Sequence, residues 1–220
     1  MLQPTSVKFL KDLENNNNKP WFEEHRTAYE STKADFETLV GKLIPAVAEF
    51  DEPLGTLQVK DCVFRINRDV RFSKNKTPYK NNMGADISLG GKKSSVAGYY
   101  FHFQPGNSFA GGGFYMPSPA ELAKIRQELD YGFEEWKAIL HNKNFVKYFP
   151  AGVSGMDTLV RPPKGYDENN PAINYLKMKS FFVTKPFTDE ELQSKTLVND
   201  IAKIFKIMKP LIDFLNRAVE

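Results

Sequence analysis

The stretch MGADISLGGKKSSVAGYYFHFQPGNSFAGGGFY, residues 83–115, alternates between two kinds of position. In the runs 83–89, 99–103 and 109–115, every second residue is apolar or glycine, which is the period of a β-strand that buries one face. The segments between these runs, GGKKSS and QPGNS, have the composition of turns. The stretch therefore predicts three consecutive strands in an antiparallel meander.

Two further segments are predicted to be strands. CVFRI (62–66) precedes the meander, and MKSFFVT (178–184) follows it at a distance. Both are rich in β-branched and aromatic residues. Together with the meander they predict an antiparallel sheet of about 4–6 strands.

Helical patterns occupy both ends of the chain. Apolar residues at Val7, Leu10 and Leu13 predict a first helix, with Thr5–Ser6 as its polar cap. A second helical pattern reaches Val47, and Gly41 and Pro45 predict a bend or break in it. The capping boxes SPAE (118–121) and TDEE (188–191) predict further helix starts. Helices, then strands, then helices predict a single α+β domain spanning residues 1–220.

Composition narrows the class of protein. The hydrophobic fraction of 41% is ordinary for a globular chain. No apolar run reaches about 18 residues, so neither a membrane span nor a membrane partner is expected. The single cysteine, Cys62, has no internal disulfide partner, which favours a cytoplasmic location and an inert core thiol. The three histidines are isolated in sequence, so no metal site is predicted, and no pattern indicates a cofactor.

The positive charge of the chain is concentrated in RINRDVRFSKNKTPYK, residues 65–80. This segment holds six cationic side chains and one carboxylate, a net charge of +5, whereas the whole chain carries +3. Arginine is the usual residue for bidentate recognition of carboxylate or phosphate. We therefore expect an ordered loop that faces a cleft, turns at least two arginines inward and binds an anionic small molecule. The candidate ligand-binding residues are Arg65, Arg68, Arg71, Lys76 and Tyr79.

Alternatives to an anion site stay open. The arginines are also suited to an internal ion-pair network with Asp69, Asp61, Asp86 or Glu23, or to a solvated surface. The aromatic strand 99–103 would stack bases in a nucleic-acid module, although the acidic remainder of the chain predicts weak or no binding of nucleic acid. The asparagines of NNNNKPWFEEHR (15–26) offer a second place for an anion. If the protein is an enzyme, Asp69 is the candidate base and Tyr79 the candidate acid.

The cationic segment also resembles a known family. Arg65, Arg68, Asp69, Arg71, Phe72, Lys76 and Tyr79 fit the pattern Arg-x-x-Arg-Asp-x-Arg-Phe…Lys-x-x-Tyr of a mainly bacterial family called domain of unknown function 2461. The segments 9–30, 111–126 and 162–181 resemble other parts of that family, so the resemblance covers nearly the whole chain. It implies no activity. In the family a histidine often precedes the proline at position 171, where this chain has Asn170.

Overall fold

The computed structural model describes residues 1–220 and has one antiparallel sheet with ten α-helices. The strands are β1 (Met83–Ile87), β2 (Gly98–Phe103), β3 (Ser108–Phe114) and β4 (Phe181–Phe187). They lie in the order β1-β2-β3-β4, and each pairs antiparallel with its neighbour. The α+β class and the meander are confirmed, with the number of strands at the low end of the predicted range.

The helices lie before, between and after the strands. Those before β1 are α1 (Pro4–Asn15), α2 (Lys19–Glu24), α3 (Arg26–Ala48) and α4 (Val59–Cys62). Those between β3 and β4 are α5 (Pro119–Tyr131), α6 (Phe133–Leu140), α7 (Lys143–Tyr148) and α8 (Ile173–Leu176). After β4 come α9 (Asp189–Leu192) and α10 (Leu197–Val219). Short 3₁₀ turns occupy Glu52–Thr56 and Gly91–Lys93.

One face of the sheet forms the core together with α3 and α10. Its side chains include Tyr99, Phe101 and Phe103, all without solvent exposure, and α10 contributes a stripe that contains Phe205 and Met208. Gly112 of β3 faces α10, where an added Cβ would lie 2.7 Å from Met208 Sδ. The helices therefore cover one side of the sheet because the alternation of each strand places its large apolar residues there.

Both predicted capping boxes are present. Ser118 and Glu121 exchange hydrogen bonds at the start of α5, and Thr188 and Glu191 do so at the start of α9. Asn18 caps α2 by accepting from the backbone N–H of Trp21 at 3.0 Å. These helix starts were readable in sequence because a capping box involves only four consecutive residues.

Three local predictions were wrong: the strand at 62–66, a break in α3, and the capping of the first helix by Thr5–Ser6. Residues 62–66 form no strand: α4 ends at Cys62, and Val63 makes one isolated bridge to Ala85. α3 continues through Gly41 and Pro45, because Leu43 and Val47 on either side of the proline are fully buried against the core.

The first helix is capped from elsewhere in the chain. It starts at Pro4, and Asp35 of α3 accepts from the backbone N–H of Gln3 at 2.8 Å and from Ser6 Oγ at 2.7 Å. A carboxylate at this end also suits the helix dipole. Separately, no helix combines the length and the apolar composition needed to cross a membrane.

Candidate functional site

The cationic segment 65–80 is an irregular hairpin fixed to the body of the protein by Tyr79. Its two sides are joined by hydrogen bonds from Arg68 N to Pro78 O at 2.9 Å and from Lys80 N to Ile66 O at 2.8 Å. Tyr79 is buried and stacks on Phe22, with ring centroids 3.9 Å apart, and burial raises the pKa of its hydroxyl. The segment is thus an ordered loop, and Tyr79 anchors it.

The asparagines before α2 help to hold Tyr79 and α2 in place. Asn17 binds the main chain of Tyr79 twice, donating from Nδ2 to the carbonyl at 2.9 Å and accepting at Oδ1 from the N–H at 3.1 Å. Asn18 caps α2. These amides, which offered a second place for an anion, are therefore engaged in holding the chain together.

Three of the six cationic groups of the loop, those of Arg68, Arg71 and Lys76, bind within the loop itself. Arg71 forms a bidentate pair with Asp69, at 3.0 Å from Nε and 2.7 Å from Nη2, and this arginine is 77% exposed. These hydrogen bonds hold the pKa of Asp69 below its usual range. Lys76 Nζ donates to Val70 O at 2.9 Å. The expectation that at least two arginines turn inward was wrong: Arg68 is half-buried, whereas Arg65 and Arg71 point to solvent.

Arg68, Arg65 and Lys80 lack acidic partners. Arg68 Nη1 donates to Thr77 O at 3.0 Å and to Thr77 Oγ1, both neutral acceptors. None of the three cations has a carboxylate oxygen within 4 Å. Glu23, one expected partner, pairs with Arg26 instead. The Asp69–Arg71 pair is therefore the whole of the expected ion-pair network.

The face of the sheet opposite the helices is open, and polar and aromatic side chains alternate with glycine on it. From β1 to β4 its central row consists of Asp86, Tyr100, Gly111 and Thr184, which are direct partners across the strands. A row on one side holds His102 and Phe109, and a row on the other holds Gly98, Gly113 and Phe182. This face is the floor of a cleft of about 980 Å³.

Aromatic rings form the sides of this cleft. Phe109 stacks on His102 with centroids 4.7 Å apart and lies 5.8 Å from Tyr100. Phe64 packs edge-on to Tyr100 at 6.3 Å, and Lys80 Nζ lies 5.4 Å from the Phe64 centroid. Lys80 is half-buried here, and desolvation, with a smaller effect of Arg65, lowers the pKa of its ammonium group. The cleft thus combines ring surfaces with one desolvated cation.

Hydrogen bonds define the tautomer of His102. Its Nδ1 lies 3.0 Å from the Tyr100 hydroxyl and 3.2 Å from Asn82 Nδ2, which are both donors. Its Nε2 lies 3.0 Å from Gln104 Oε1, an acceptor. The ring is therefore neutral, with its proton on Nε2. Burial, opposed by Gln104 and reinforced by the charge of Lys80, keeps the pKa of His102 below its ordinary value.

Asp86 and Tyr100 have strongly shifted pKa values. Burial raises the pKa of Asp86 to about 6, and the single side-chain hydrogen bond that it accepts, from Ser88 Oγ, opposes this shift. Burial, together with the nearby Asp86, raises the pKa of Tyr100 to about 12. Shifted carboxyl and phenol groups in one cleft mark it as a candidate functional site.

The glycines of this face differ in exposure. Gly98 and Gly113 are half-buried and line the cleft. Gly111 is buried, and an added Cβ there would lie 3.1 Å from Val183 O and 3.3 Å from Thr184 Cγ2. Gly84 is buried under Tyr100, whose hydroxyl a Cβ would overlap. The exposed backbone at Gly98 and Gly113 lets a flat group approach the sheet.

Beside the cleft lies a smaller polar recess of about 450 Å³, between the cationic loop and the end of α1. Its lining includes Arg68, Lys80, Asn81, Asn82 and Glu14. Lys80 and Asn82 line both the cleft and the recess. Of the predicted ligand-binding residues, only Arg68 and Tyr79 line either of these concavities.

Sequence reasoning missed Asp86, Tyr100 and His102. The signal was present in the alternation: the apolar set on β2 is Tyr99, Phe101 and Phe103, so the residues between them had to face the other way. A histidine between two aromatic residues then marks a second, polar face. What the alternation does not reveal is that no helix covers this face.

Cys62 and Asn170, which the sequence also singled out, have structural roles. Burial raises the pKa of Cys62 to about 11, in line with an inert core thiol. Asn170 donates to Asp130 Oδ1 at 2.6 Å and accepts from Ala172 N at 2.8 Å, which orders its loop outside the cleft. No group of three or more His, Cys, Asp or Glu side chains is arranged to hold a metal ion.

The Tyr100→Phe substitution tests the assigned hydrogen bonds. We expect the pKa of His102 to rise, because the donor that stabilises the neutral ring is lost. An NMR titration of the imidazole Cε1–H measures the change. Tyr131→Phe, at an exposed tyrosine, is the matched control and should leave the His102 titration unchanged. A His102 titration that is identical in Tyr100→Phe and the unmodified protein would refute the arrangement.

Comparison with known proteins yields one result. A family model described as "Conserved hypothetical protein (DUF2461)" matches residues 5–214. No curated protein and no solved structure gives a significant match. The match covers nearly the whole chain, including the cationic loop and all four strands.

Proposed function

The chain belongs to the conserved hypothetical family called domain of unknown function 2461, whose description names no activity, and we propose from the geometry of this chain that it binds a small organic anion. The planar part of the ligand lies in the cleft. Its carboxylate or phosphate group contacts Lys80, with Arg65 and Arg68 close by. In keeping with the single cysteine, we place this binding in the cytoplasm.

One observation carries the proposal: a desolvated lysine without an acidic partner stands at the edge of an aromatic cleft. A cation taken partly out of water loses hydration, and a paired anion restores that loss. Lys80 has no carboxylate within 4 Å, and its ammonium group lies against the ring of Phe64. A ligand carboxylate or phosphate would supply the missing charge through charge-assisted hydrogen bonds.

The remainder of the cleft suits a flat apolar group. Largely apolar pockets of this size, with a few convergent polar groups, are typical of small-molecule sites. A ring lying in the cleft would have Phe109, Tyr100 and Phe182 around it, within reach of aromatic contacts. Tyr100 and Asp86, which also line the cleft, then offer a hydroxyl and a carboxyl group to polar atoms of the ligand.

The arrangement gives less support to a nucleic-acid module. Of the four aromatic residues of strand 99–103 that were expected to stack bases, Tyr99, Phe101 and Phe103 are fully buried in the core, so only Tyr100 lies on the open face. The net charge outside residues 65–80 is −2, so one compact cluster of cations is left to contact phosphates. We therefore keep the expectation of weak or no binding of random DNA or RNA.

The Lys80→Gln substitution tests the proposed function. We expect phenyl phosphate and benzoate to shift the amide resonances of Tyr100, His102 and Gly111 in the unmodified protein. In Lys80→Gln their affinity should fall about 10- to 100-fold, because one charge-assisted hydrogen bond is lost. Two-dimensional NMR titrations measure both effects.

The controls separate charge from ring binding. Lys143→Gln removes an exposed, unpaired lysine of α7 and should leave the affinities unchanged. Benzyl alcohol has the same ring without the charge. It should bind the unmodified protein and Lys80→Gln equally weakly. If neither anion moves the cleft resonances, or benzyl alcohol binds as tightly as the anions, the proposed function is wrong.

A further inference from the structure

The polar recess carries hydrogen-bonding capacity that a simple aromatic anion does not use. It adjoins the cleft at Lys80 and Asn82, which line both. Its nine lining residues include four asparagines, two cations and Glu14, and only Tyr79 among them is apolar in character. A ligand that lies in the cleft and reaches Lys80 therefore borders a second, polar subsite.

The recess leaves both donors and acceptors without protein partners. Asn75 uses its Oδ1 to accept from Thr77, which leaves its Nδ2 as a donor. Asn81 uses its Nδ2 to donate to Glu14 Oε1 at 2.9 Å, which leaves Asn81 Oδ1 and the second Glu14 oxygen as acceptors. Asn82 directs Nδ2 to His102, and its Oδ1 is likewise an acceptor. The recess therefore presents acceptor oxygens beside the cations Lys80 and Arg68.

This mixture selects a particular chemistry. A phosphate or carboxylate accepts hydrogen bonds, so it uses the N–H groups of Lys80, Arg68 and Asn75 and is repelled by Glu14. The free oxygens of Asn81, Asn82 and Glu14 require donors, and ligand hydroxyl groups supply them. A site that offers cations and amide oxygens side by side therefore favours a phosphate attached to a hydroxylated carbon skeleton.

We propose that the cleft and the recess together form one site for a ribonucleoside monophosphate, a proposal that rests on the proposed function. The planar base lies among the rings of the cleft. The ribose hydroxyls donate to oxygens of Asn81, Asn82 and Glu14. The phosphate accepts from Lys80 and Arg68. The two concavities, of about 980 and 450 Å³, hold a base and a sugar phosphate respectively.

Calorimetric titration with AMP and UMP tests this assignment. We expect AMP or UMP to bind at least about tenfold more tightly than phenyl phosphate, because the ribose adds hydrogen bonds in the recess. The 2′-deoxy form of the same nucleotide should bind about three- to tenfold more weakly than the ribonucleotide. Adenosine or uridine, without the phosphate, should lose at least about tenfold in affinity.

The Asn81→Ala substitution locates the ribose contact. It should abolish the preference for the ribo over the deoxy form while phenyl phosphate binds as before. Asn144→Ala, at an exposed asparagine of α7, is the matched control and should preserve the preference.

Two failures are distinguishable. If phenyl phosphate binds at Lys80 but AMP and UMP bind no more tightly, or show no 2′-hydroxyl preference, the nucleotide assignment is wrong and the proposed function stands. If none of these phosphates binds at the cleft, both are wrong.

Discussion

Replacing Gly113 by alanine should lower the free energy of unfolding by about 3–5 kcal/mol. Gly113 lies in β3 between Gly98 and Phe182, with φ at +136°, a region that residues with a side chain rarely adopt. An added Cβ would overlap the carbonyl oxygen of Phe181 and approach Phe182 Cα at 2.6 Å. Both contacts are with the backbone of β4, which moves only if the pairing of the two strands is disrupted. Urea unfolding followed by circular dichroism measures the loss.

Gly106→Ala is the matched control for this prediction. Gly106 also has a positive φ, +75°, but it lies in the exposed turn between β2 and β3, and nothing lies within 4 Å of its Cβ position. Its substitution should cost only about 1 kcal/mol, from backbone strain alone. Equal losses at the two positions would show that the strain of positive φ, and not the contact with β4, is the cause at Gly113.

Replacing Asp86 by asparagine should stabilise the protein by about 1–3 kcal/mol at pH 7.5. In the folded protein, burial raises the pKa of Asp86 to about 6, whereas the unfolded carboxyl keeps its ordinary pKa of 3.8. The folded state therefore holds a proton that the unfolded state has lost between about pH 4 and pH 6. Stability due to this group falls as the pH rises through that window, and the full penalty is present above it. Asparagine carries no charge and can still accept from Ser88.

The pH dependence makes this prediction specific. The difference in free energy of unfolding between Asp86→Asn and the unmodified protein should shrink to nearly zero by about pH 3, where the carboxyl of Asp86 is protonated in both the folded and the unfolded protein. Glu30→Gln, at an exposed position of α3, is the matched control and should change stability by less than about 0.5 kcal/mol at either pH. An Asp86 variant that is no more stable at pH 7.5 would show that the carboxylate is well solvated in the cleft.

The same two positions connect stability with the proposed binding. Gly113 and Asp86 both line the cleft, and Asp86 carries an energetic cost that a surface optimised only for stability would not retain. At Asp86 the cost is a carboxylate that is half-buried beside Tyr100 without a cation. Such costs are typical of sites where function constrains the residues.

Much of the fold was predictable because its signals are local. The alternation in residues 83–115, the turns at 90–95 and 104–108, and the two capping boxes each depend on neighbours within a few residues. The wrong predictions involve partners that are distant in sequence. Asp35 caps α1 from α3, and burial of Leu43 and Val47 keeps α3 intact at Pro45.

The candidate site was predictable only in part. The cationic loop and its ordered conformation followed from the charge and the aromatic residues in one segment. Whether its cations would converge did not, because Asp69 draws Arg71 to the surface and Thr77 engages Arg68. Lys80 borders both the cleft and the recess. In the sequence it was noted only as one of the six cations of residues 65–80.

The sequence by itself determined the three strands of the meander, the family and the place of the positive charge, since each depends on patterns of residue type along the chain. Only the tertiary structure decided which face of the sheet stays open. The helices from both ends of the chain pack on the face that carries Tyr99, Phe101 and Phe103, because burying these rings removes the larger apolar area from water. Asp86, Tyr100 and His102 are left on the other face, where the pairing of β1 with β2 brings them together.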